Sequence, residues 1–319
     1  TCSEEEKSKE VISYYDGSLR SRQMVTKIKS DPYVIAAETH YDYQGRQSIS
    51  VIPSPVEDIT SIQYIPNLTR VSSTDSNLMP SDYESMLNSC VPVSPALSSS
   101  FGASRYYSTD NSMANSTGKE IPSFNHFIPS AQGYPYTQTL YTPDNTNRVK
   151  TQSGLGNTLR MGGGHETYSY YGVPTQTELD ALFGNNVGYA THYSKTMVMD
   201  PNGQLSVSYQ NLRGQVIATA LAGDALLSLD AVEGFTQGSH LVLENALQGV
   251  TMSPDGKSAN SSYTFVVDHN NTTASLHYRV ASDTFNSCVN ICHDCAYDLN
   301  IDLMDGCGNV LLHYSTVIG

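Results

Sequence analysis

The sequence has no tryptophan and few charges: only 15% of its residues are Asp, Glu, Lys or Arg. The 17 basic residues are outnumbered by 31 acidic ones, and the formal net charge is −14. No run of five basic residues occurs. That excludes nucleic acid as a partner, because binding a phosphate backbone needs clustered Lys and Arg. The acidity serves solubility instead. No apolar run approaches the ~20 residues of a membrane helix, so no transmembrane segment is expected. The opening "TCSEEEKSKEVISYY" is too charged for a signal peptide. A secreted chain of this kind has lost its signal or is an internal fragment. The close, "GNVLLHYSTVIG", is strand-like without a polar tail and favours the fragment.

The usual catalytic signatures are missing as well. There is no Gly-x-Ser-x-Gly elbow. The glycine run in "RMGGGHETYSYYG" lacks the Lys-Ser/Thr that a phosphate loop requires. His165-Glu166 follows that run, but no second His stands at helical spacing. A tight turn and bulge in a β-sheet is the expectation there.

What is present points to strands and turns. The 319 residues can form two or three domains. Tyr (22) and Gly (23) are abundant, alongside much Ser, Thr and Asn. Residues 1–13 read as a short acidic helix or lead-in within an N-terminal segment 1–70. In that segment "MVTKIKS" and "SISVIP" alternate as strands do. Residues 71–133 form a Ser/Asn/Pro-rich irregular excursion with a short helix near "SDYESMLNSC". Strands return over 134–235. One helix interrupts them at "PTQTELDALFG", with Thr175 as N-cap, Glu178 completing a capping box and Gly184 as the stop. Residues 236–319 carry further strand signals and a "DHNN" turn, and read as a β-sandwich-like module cut short.

A short unit recurs along the strands. Asp42-x-x-Gly45-Arg46 is matched by Asp200-x-x-Gly203-Gln204 and by Asn211-x-x-Gly214-Gln215. Asp144-x-x-Asn147-Arg148 carries Asn for Gly, and Asp16-Gly-Ser-Leu-Arg20 is a degenerate copy. Tyr15, Tyr41 and Tyr209 precede the acidic or amide position. Asp or Asn accepts backbone N–H bonds at a turn entrance, and Gly or Asn tolerates positive φ at its exit. Arg or Gln can reach back to the Asp or to nearby carbonyls. Pro53 and Pro55 mark the end of the first sheet strip. One unit cannot bury its apolar face, but many side by side can.

"YYDGSLRSRQ", "HYDYQGRQSISVIPSP", "YTPDNTNRVKTQSGLG" and "VMDPNGQLSVSYQNLRGQVIATALAG" resemble the YD repeats of the Rhs family, and most of all the large Rhs-type surface proteins of Bacteroidota. The resemblance covers roughly residues 12–70 and 134–235. It implies a shell-like antiparallel YD-repeat sheet, often wrapped around a C-terminal toxin, in a protein secreted or held at the cell surface. "CHDCAYDLNIDLMDGCGNVLL" also resembles a Cys-containing β module found downstream of such repeats. Self-cleaving members carry two Asp-Pro-x-Gly motifs eighteen residues apart. Here Asp200-Pro201-Asn202-Gly203 is one, and the second position reads "AGDA". Paired carboxylates are therefore missing, and Asp200 reads as a turn residue.

The six cysteines are Cys2, Cys90, Cys288, Cys292, Cys295 and Cys307. In an exported chain they favour disulfides. A zinc site on Cys288, Cys292, Cys295 and Cys307, with His293 as a substitute ligand, is the alternative, and free thiols are a third. Fifteen connectivities leave the pairing open. "DLNIDLMDG" and "TPDNTN" are oxygen-rich enough for calcium but fit no twelve-residue calcium loop, so no cofactor is expected. Asn67, Asn115, Asn260, Asn270 and Asn271 head Asn-x-Ser/Thr triplets, weak signals in so Asn-rich a chain. The expected role is thus non-catalytic: a scaffold that encapsulates or presents an effector, with partners in the same large chain or in a surface complex. The alternative is an adhesin or protein-binding subunit. An enzyme would need a pocket with convergent titratable groups.

Overall fold

Alternating strands need neighbours to bury one face, and the computed structural model of the chain lines ten of them up in one sheet. It describes residues 9–57, 59–87, 89, 92–115, 127–222, 250–255, 257–263, 275–278, 297–305 and 308–318. The chain forms two compact units, Thr1–Val232 and Glu233–Gly319.

In the first unit the strands are β1 (Lys9–Tyr15), β2 (Ser21–Ile28), β3 (Val34–Tyr41), β4 (Gln47–Val56), β5 (Tyr136–Tyr141), β6 (Val149–Gln152), β7 (Thr167–Gly172), β8 (Tyr193–Met199), β9 (Leu205–Asn211) and β10 (Val216–Ala222). They pair antiparallel in sequence order, a meander from β1 to β10. The segments before and after the excursion thus belong to one sheet, joined where Ile49, Ser50 and Val51 of β4 pair with Gln138, Thr137 and Tyr136 of β5.

Two expectations fail here. Residues 9–13 are strand, not helix: "KEVISYY" pairs with β2 from Lys9↔Ile28 onward. Pro53 and Pro55 lie inside β4 rather than ending it. Proline lacks the N–H that a central ladder needs. The pairing with β5 covers only Ile49–Val51, so both prolines sit beyond it.

The period of two sorts residues onto two faces. β3 alternates buried and half-buried along its whole length. Val25, Val34, Ala36, Ile49, Val51, Val56 and Tyr136 face one way and pack against Ile65 and Leu68 just ahead of the excursion and Val71, Leu78, Leu97 and Ala103 within it. The excursion is therefore the cover of the core. Each fully buried aliphatic side chain contributes about 1.5–3 kcal/mol. Its helices are short: α1 (Pro80–Leu87), α2 (Gly102–Tyr106) and α3 (Ser112–Asn115). Gly102 is required where α2 meets the Leu68 turn. Its φ is +58°, and a Cβ would come 2.3 Å from the Leu68 carbonyl oxygen.

Two more helices lie between the later strands, α4 (Gly156–Leu159) and α5 (Gln176–Phe183). The reciprocal capping box of Thr175 and Glu178 starts α5, and Gly184 at φ +77° ends it. α5 drives Leu179 into a cluster with Val207 and Tyr209 of β9. The opposite sheet face is polar and half-buried: Thr39 pairs with Ser50, Ser50 with Thr137, and Thr139 with Gln152.

In the second unit β11 (Thr251–Met252) pairs with β12 (Ala259–Asn260), and β13 (Tyr297–Met304) pairs with β14 (Val310–Ile318). These are two separate two-stranded pairings among the described residues. The rest of the expected sandwich, including the "DHNN" turn, lies outside the described residues, as do all six cysteines. Among the described residues no helix is long and apolar enough to cross a membrane.

Candidate functional site

The repeated unit forms one hairpin geometry again and again. At Asp42 the backbone N–H bonds to the Arg46 carbonyl at 2.9 Å, and the Gly45 N–H returns to the Asp42 carbonyl at 2.9 Å. This is a type I turn followed by a left-handed residue, with Gly45 at φ +81°. The Asp42 side chain fixes it. Oδ1 accepts from the backbone N–H groups of Gln44 (3.0 Å) and Arg46 (2.8 Å), while Oδ2 takes Arg46 Nε at 2.7 Å.

The same bonds recur at Asp200, whose Oδ1 accepts from Asn202 (2.9 Å) and Gln204 (2.8 Å), with Gly203 at φ +81°. Asn211 repeats them with Arg213 (2.9 Å) and Gln215 (3.1 Å), and Gly214 is at φ +74°. Asp16-to-Arg20 is not degenerate in shape. Oδ1 accepts from Ser18 (2.8 Å) and Arg20 (3.0 Å), and Leu19 takes the left-handed place at φ +59°.

The Asp144 copy differs. Its loop closes one step wider, by Thr142 N–H to the Arg148 carbonyl at 2.8 Å. Both Asn145 (φ +57°) and Asn147 (φ +59°) are left-handed. Asp144 Oδ1 accepts from the Thr142 and Thr146 hydroxyls, each at 2.6 Å, and Arg148 Nη2 meets Oδ2 at 2.6 Å. The two hydroxyls, and then Arg148, hold this carboxyl well below the usual carboxylate range. The oxygens of "TPDNTN" that suggested calcium are engaged in these bonds. Asp16 is lowered too, chiefly by the Arg20 backbone N–H.

One copy was missed in the sequence. Asp305 N–H bonds to the Asn309 carbonyl (3.0 Å), Gly308 N–H to the Asp305 carbonyl (3.0 Å), and Asn309 N–H to Asp305 Oδ1 (2.9 Å). Asn309 Nδ2 reaches Oδ2 at 2.8 Å, standing in for the Arg. The Asp-x-x-Gly spacing was legible, but Asn in the last position hid it.

The turns are also bolted to one another, which spacing alone did not reveal. Arg20 lies over the ring of Tyr41 (4.8 Å), Arg46 over Tyr141 (4.3 Å) and Arg148 over Tyr171 (4.7 Å). Each tyrosine hydroxyl then donates to the carbonyl just after that arginine: Ser21 (2.9 Å), Gln47 (2.8 Å) and Val149 (2.9 Å). Each Asp–Arg clasp is thus covered by the tyrosine of the next hairpin. Of the tyrosines singled out by position, only Tyr41 belongs to this ladder. Tyr209 sits on the other face, with its hydroxyl on Glu178.

Other candidates for chemistry are spent on structure. The buried Glu166 carboxylate takes the N–H groups of Gly162 and Gly163 and the Tyr168 hydroxyl (3.3 Å). His165 turns away to the Pro201 carbonyl at 2.7 Å. A half-open cleft of about 470 Å³ runs between the end of β4 and α2, lined by Ile59, Ile65, Phe101 and Tyr106. Its charged pair, Arg105 and Glu57, closes on itself at 2.7 Å. Among the described residues no group of three His, Cys, Asp or Glu side chains is placed to hold a metal ion. The zinc and disulfide candidates Cys2, Cys90, Cys288, Cys292, Cys295 and Cys307 lie outside the described residues. No protein-family model matches the chain, and no curated protein matches it.

Proposed function

We propose that this chain is a non-catalytic structural part of a large secreted or cell-surface YD-repeat protein. Its sheet serves as a strip of a β-shell or scaffold that encapsulates or presents an effector. The observation that carries this reading is the ladder. Acidic residues that could do acid–base work are committed to turns, and Arg20, Arg46 and Arg148 with their tyrosines join three of the hairpins each to the next. Such a unit is useful by repetition rather than by reactivity. Its partners are then other parts of the same large chain or a surface complex.

The test is location and protection. Intact producing cells are treated with a membrane-impermeant amine reagent, and cells and medium are probed for the full-length protein. Labelled protein on the surface, or protein in the medium, is expected. Unlabelled protein recovered only after lysis overturns the reading. Protein that is labelled, lacks a protected effector and binds other cells directly shifts the role to adhesin.

A further inference from the structure

Glu38 and His40 are buried side by side on β3, exposed to 3% and 1%. Arg22 of β2 reaches both: Nη2 lies 2.9 Å from Glu38 Oε1 and Nη1 lies 2.8 Å from His40 Nδ1. A guanidinium keeps its protons and only donates. His40 Nδ1 must therefore present a lone pair, and the ring is neutral with its proton on Nε2. That nitrogen sits 3.2 Å from Glu38 Oε1 but out of line, without a hydrogen bond.

The charged surroundings are few. Arg22 comes from β2, Glu38 from β3 itself and Asp82 from α1. β4 supplies only Ile49, across the ladder, and the Ser48 hydroxyl on the His40 carbonyl. Burial pushes the imidazole below its ordinary 6.5, against the opposing pull of Glu38 and Asp82. The other oxygen of Glu38 accepts from Gln23 Nε2 at 3.0 Å. Gln23 in turn grips the segment leading into the excursion like a neighbouring strand: its Nε2 donates to the Ile65 carbonyl (2.9 Å), and its Oε1 accepts the Ile65 N–H (2.7 Å).

We propose that Arg22, Gln23, Glu38 and His40 form an acid-sensitive latch that holds the Ile65 segment of the cover on the sheet. A proton arriving at His40 Nδ1 sets two donors face to face at the Arg22 contact. The imidazolium then competes with Arg22 and Gln23 for the Glu38 carboxylate, and the Gln23 grip on Ile65 is lost. The sign follows from the lowered folded value. The opened form binds the proton more tightly, so the latch is fully closed above 6.5 and weakens as pH falls below it.

Hydrogen exchange read by mass spectrometry on the whole protein tests this at about pH 7.5 and about pH 5, after correction for intrinsic rates. The peptide containing Ile65 is expected to exchange at least about tenfold faster at the lower pH, a change of about 1.4 kcal/mol in opening. The peptides of β8 and β9 keep their protection. In His40→Gln the difference between the two pH values disappears, and in Gln23→Ala the Ile65 peptide is open at both. An unchanged pH response in His40→Gln, or equal loosening across the sheet, overturns the latch. Should His40→Gln fail to fold, an NMR titration of the wild-type ring decides. A midpoint at or above 6.5 overturns the proposal.

Discussion

The guanidinium carbon of Arg46 lies 4.3 Å from the centre of the Tyr141 ring, across the whole excursion in sequence. Arg46 also bonds to Asp42, whose side chain is completely buried beneath it. Removing Arg46 leaves that carboxylate without its cation. Arg46→Ala is expected to destabilise the first unit by about 3 kcal/mol, the usual consequence of breaking a buried pair from one side. Tyr141→Ala uncovers the same pair. The two losses should be non-additive by about 1 kcal/mol in a urea-denaturation double-mutant cycle, because the ring contact is shared. Additive losses would mean that the stacking carries no coupling.

The turn exits make an opposite prediction at Leu19. It holds φ +59° and is 84% exposed, so its side chain gains little packing while its backbone is strained. Gly45 holds the matching place at φ +81°. Leu19→Gly should stabilise the protein by about 1 kcal/mol, since a side chain in the left-handed region costs about 1–2 kcal/mol and glycine's greater unfolded entropy offsets part of that. Gly45→Ala should destabilise, with a Cβ 3.2 Å from Arg20 Nη1 adding to the strain. Melting temperatures of the two variants should move in opposite directions.

The tyrosines differ in burial, and alkali should separate them. Burial pushes the phenols of Tyr83 and Tyr136 far above their ordinary 10.0, and Tyr106 up to about 12. Tyr209 is raised by burial and then by the Glu178 carboxylate beside it. A folded value raised above the unfolded one gives stability that is present below 10 and lost as pH climbs through the folded value. Phenolate absorbance on raising the pH should therefore come in two phases. Freely exposed tyrosines ionise first, and the four phenols raised furthest, those of Tyr83, Tyr106, Tyr136 and Tyr209, appear together with loss of the fold. One reversible phase centred near 10.0 would contradict the burial of these side chains.

The local devices were legible in the sequence because each is written within five residues. Asp42-x-x-Gly45-Arg46 encodes its own turn, and Thr175 with Glu178 encodes its own cap. What joins one device to another was not legible. Tyr141 covers Arg46 across the whole excursion, and Gln23 grips Ile65 from two strands upstream, through contacts that no local spacing encodes. The same holds for the polar residues of the apolar face. Gln23, Glu38, His40 and Gln138 occupy core positions, where the alternation of β2, β3 and β5 leads one to expect aliphatic side chains. Only the cover laid over them explains their burial. Pro53 and Pro55 misled for a related reason: they look like a stop until one sees that β5 pairs with the first half of β4 alone.

Glu178 joins two of these levels. Its backbone N–H bonds to Thr175 Oγ1 at 3.1 Å, and its carboxylate answers the Thr175 N–H at 3.3 Å. The same carboxylate takes Lys195 Nζ of β8 at 2.7 Å and the Tyr209 hydroxyl of β9. The cap is therefore also the tie between α5 and the sheet. Thr175→Ala should cost about 1 kcal/mol, as lost N-caps do. Glu178→Ala should cost more, about 2–3 kcal/mol, because it strands the Tyr209 hydroxyl and Lys195 as well. Glu178→Gln should fall between the two: the amide oxygen still accepts from Tyr209, but the charge opposite Lys195 is gone. It should also bring the Tyr209 phenol down, since one of the groups raising it has been neutralised. Urea denaturation ranks the three variants, and the alkaline absorbance titration reads Tyr209 directly. If Glu178→Ala costs no more than Thr175→Ala, the carboxylate is only a cap, and Leu179 alone holds α5 against β9.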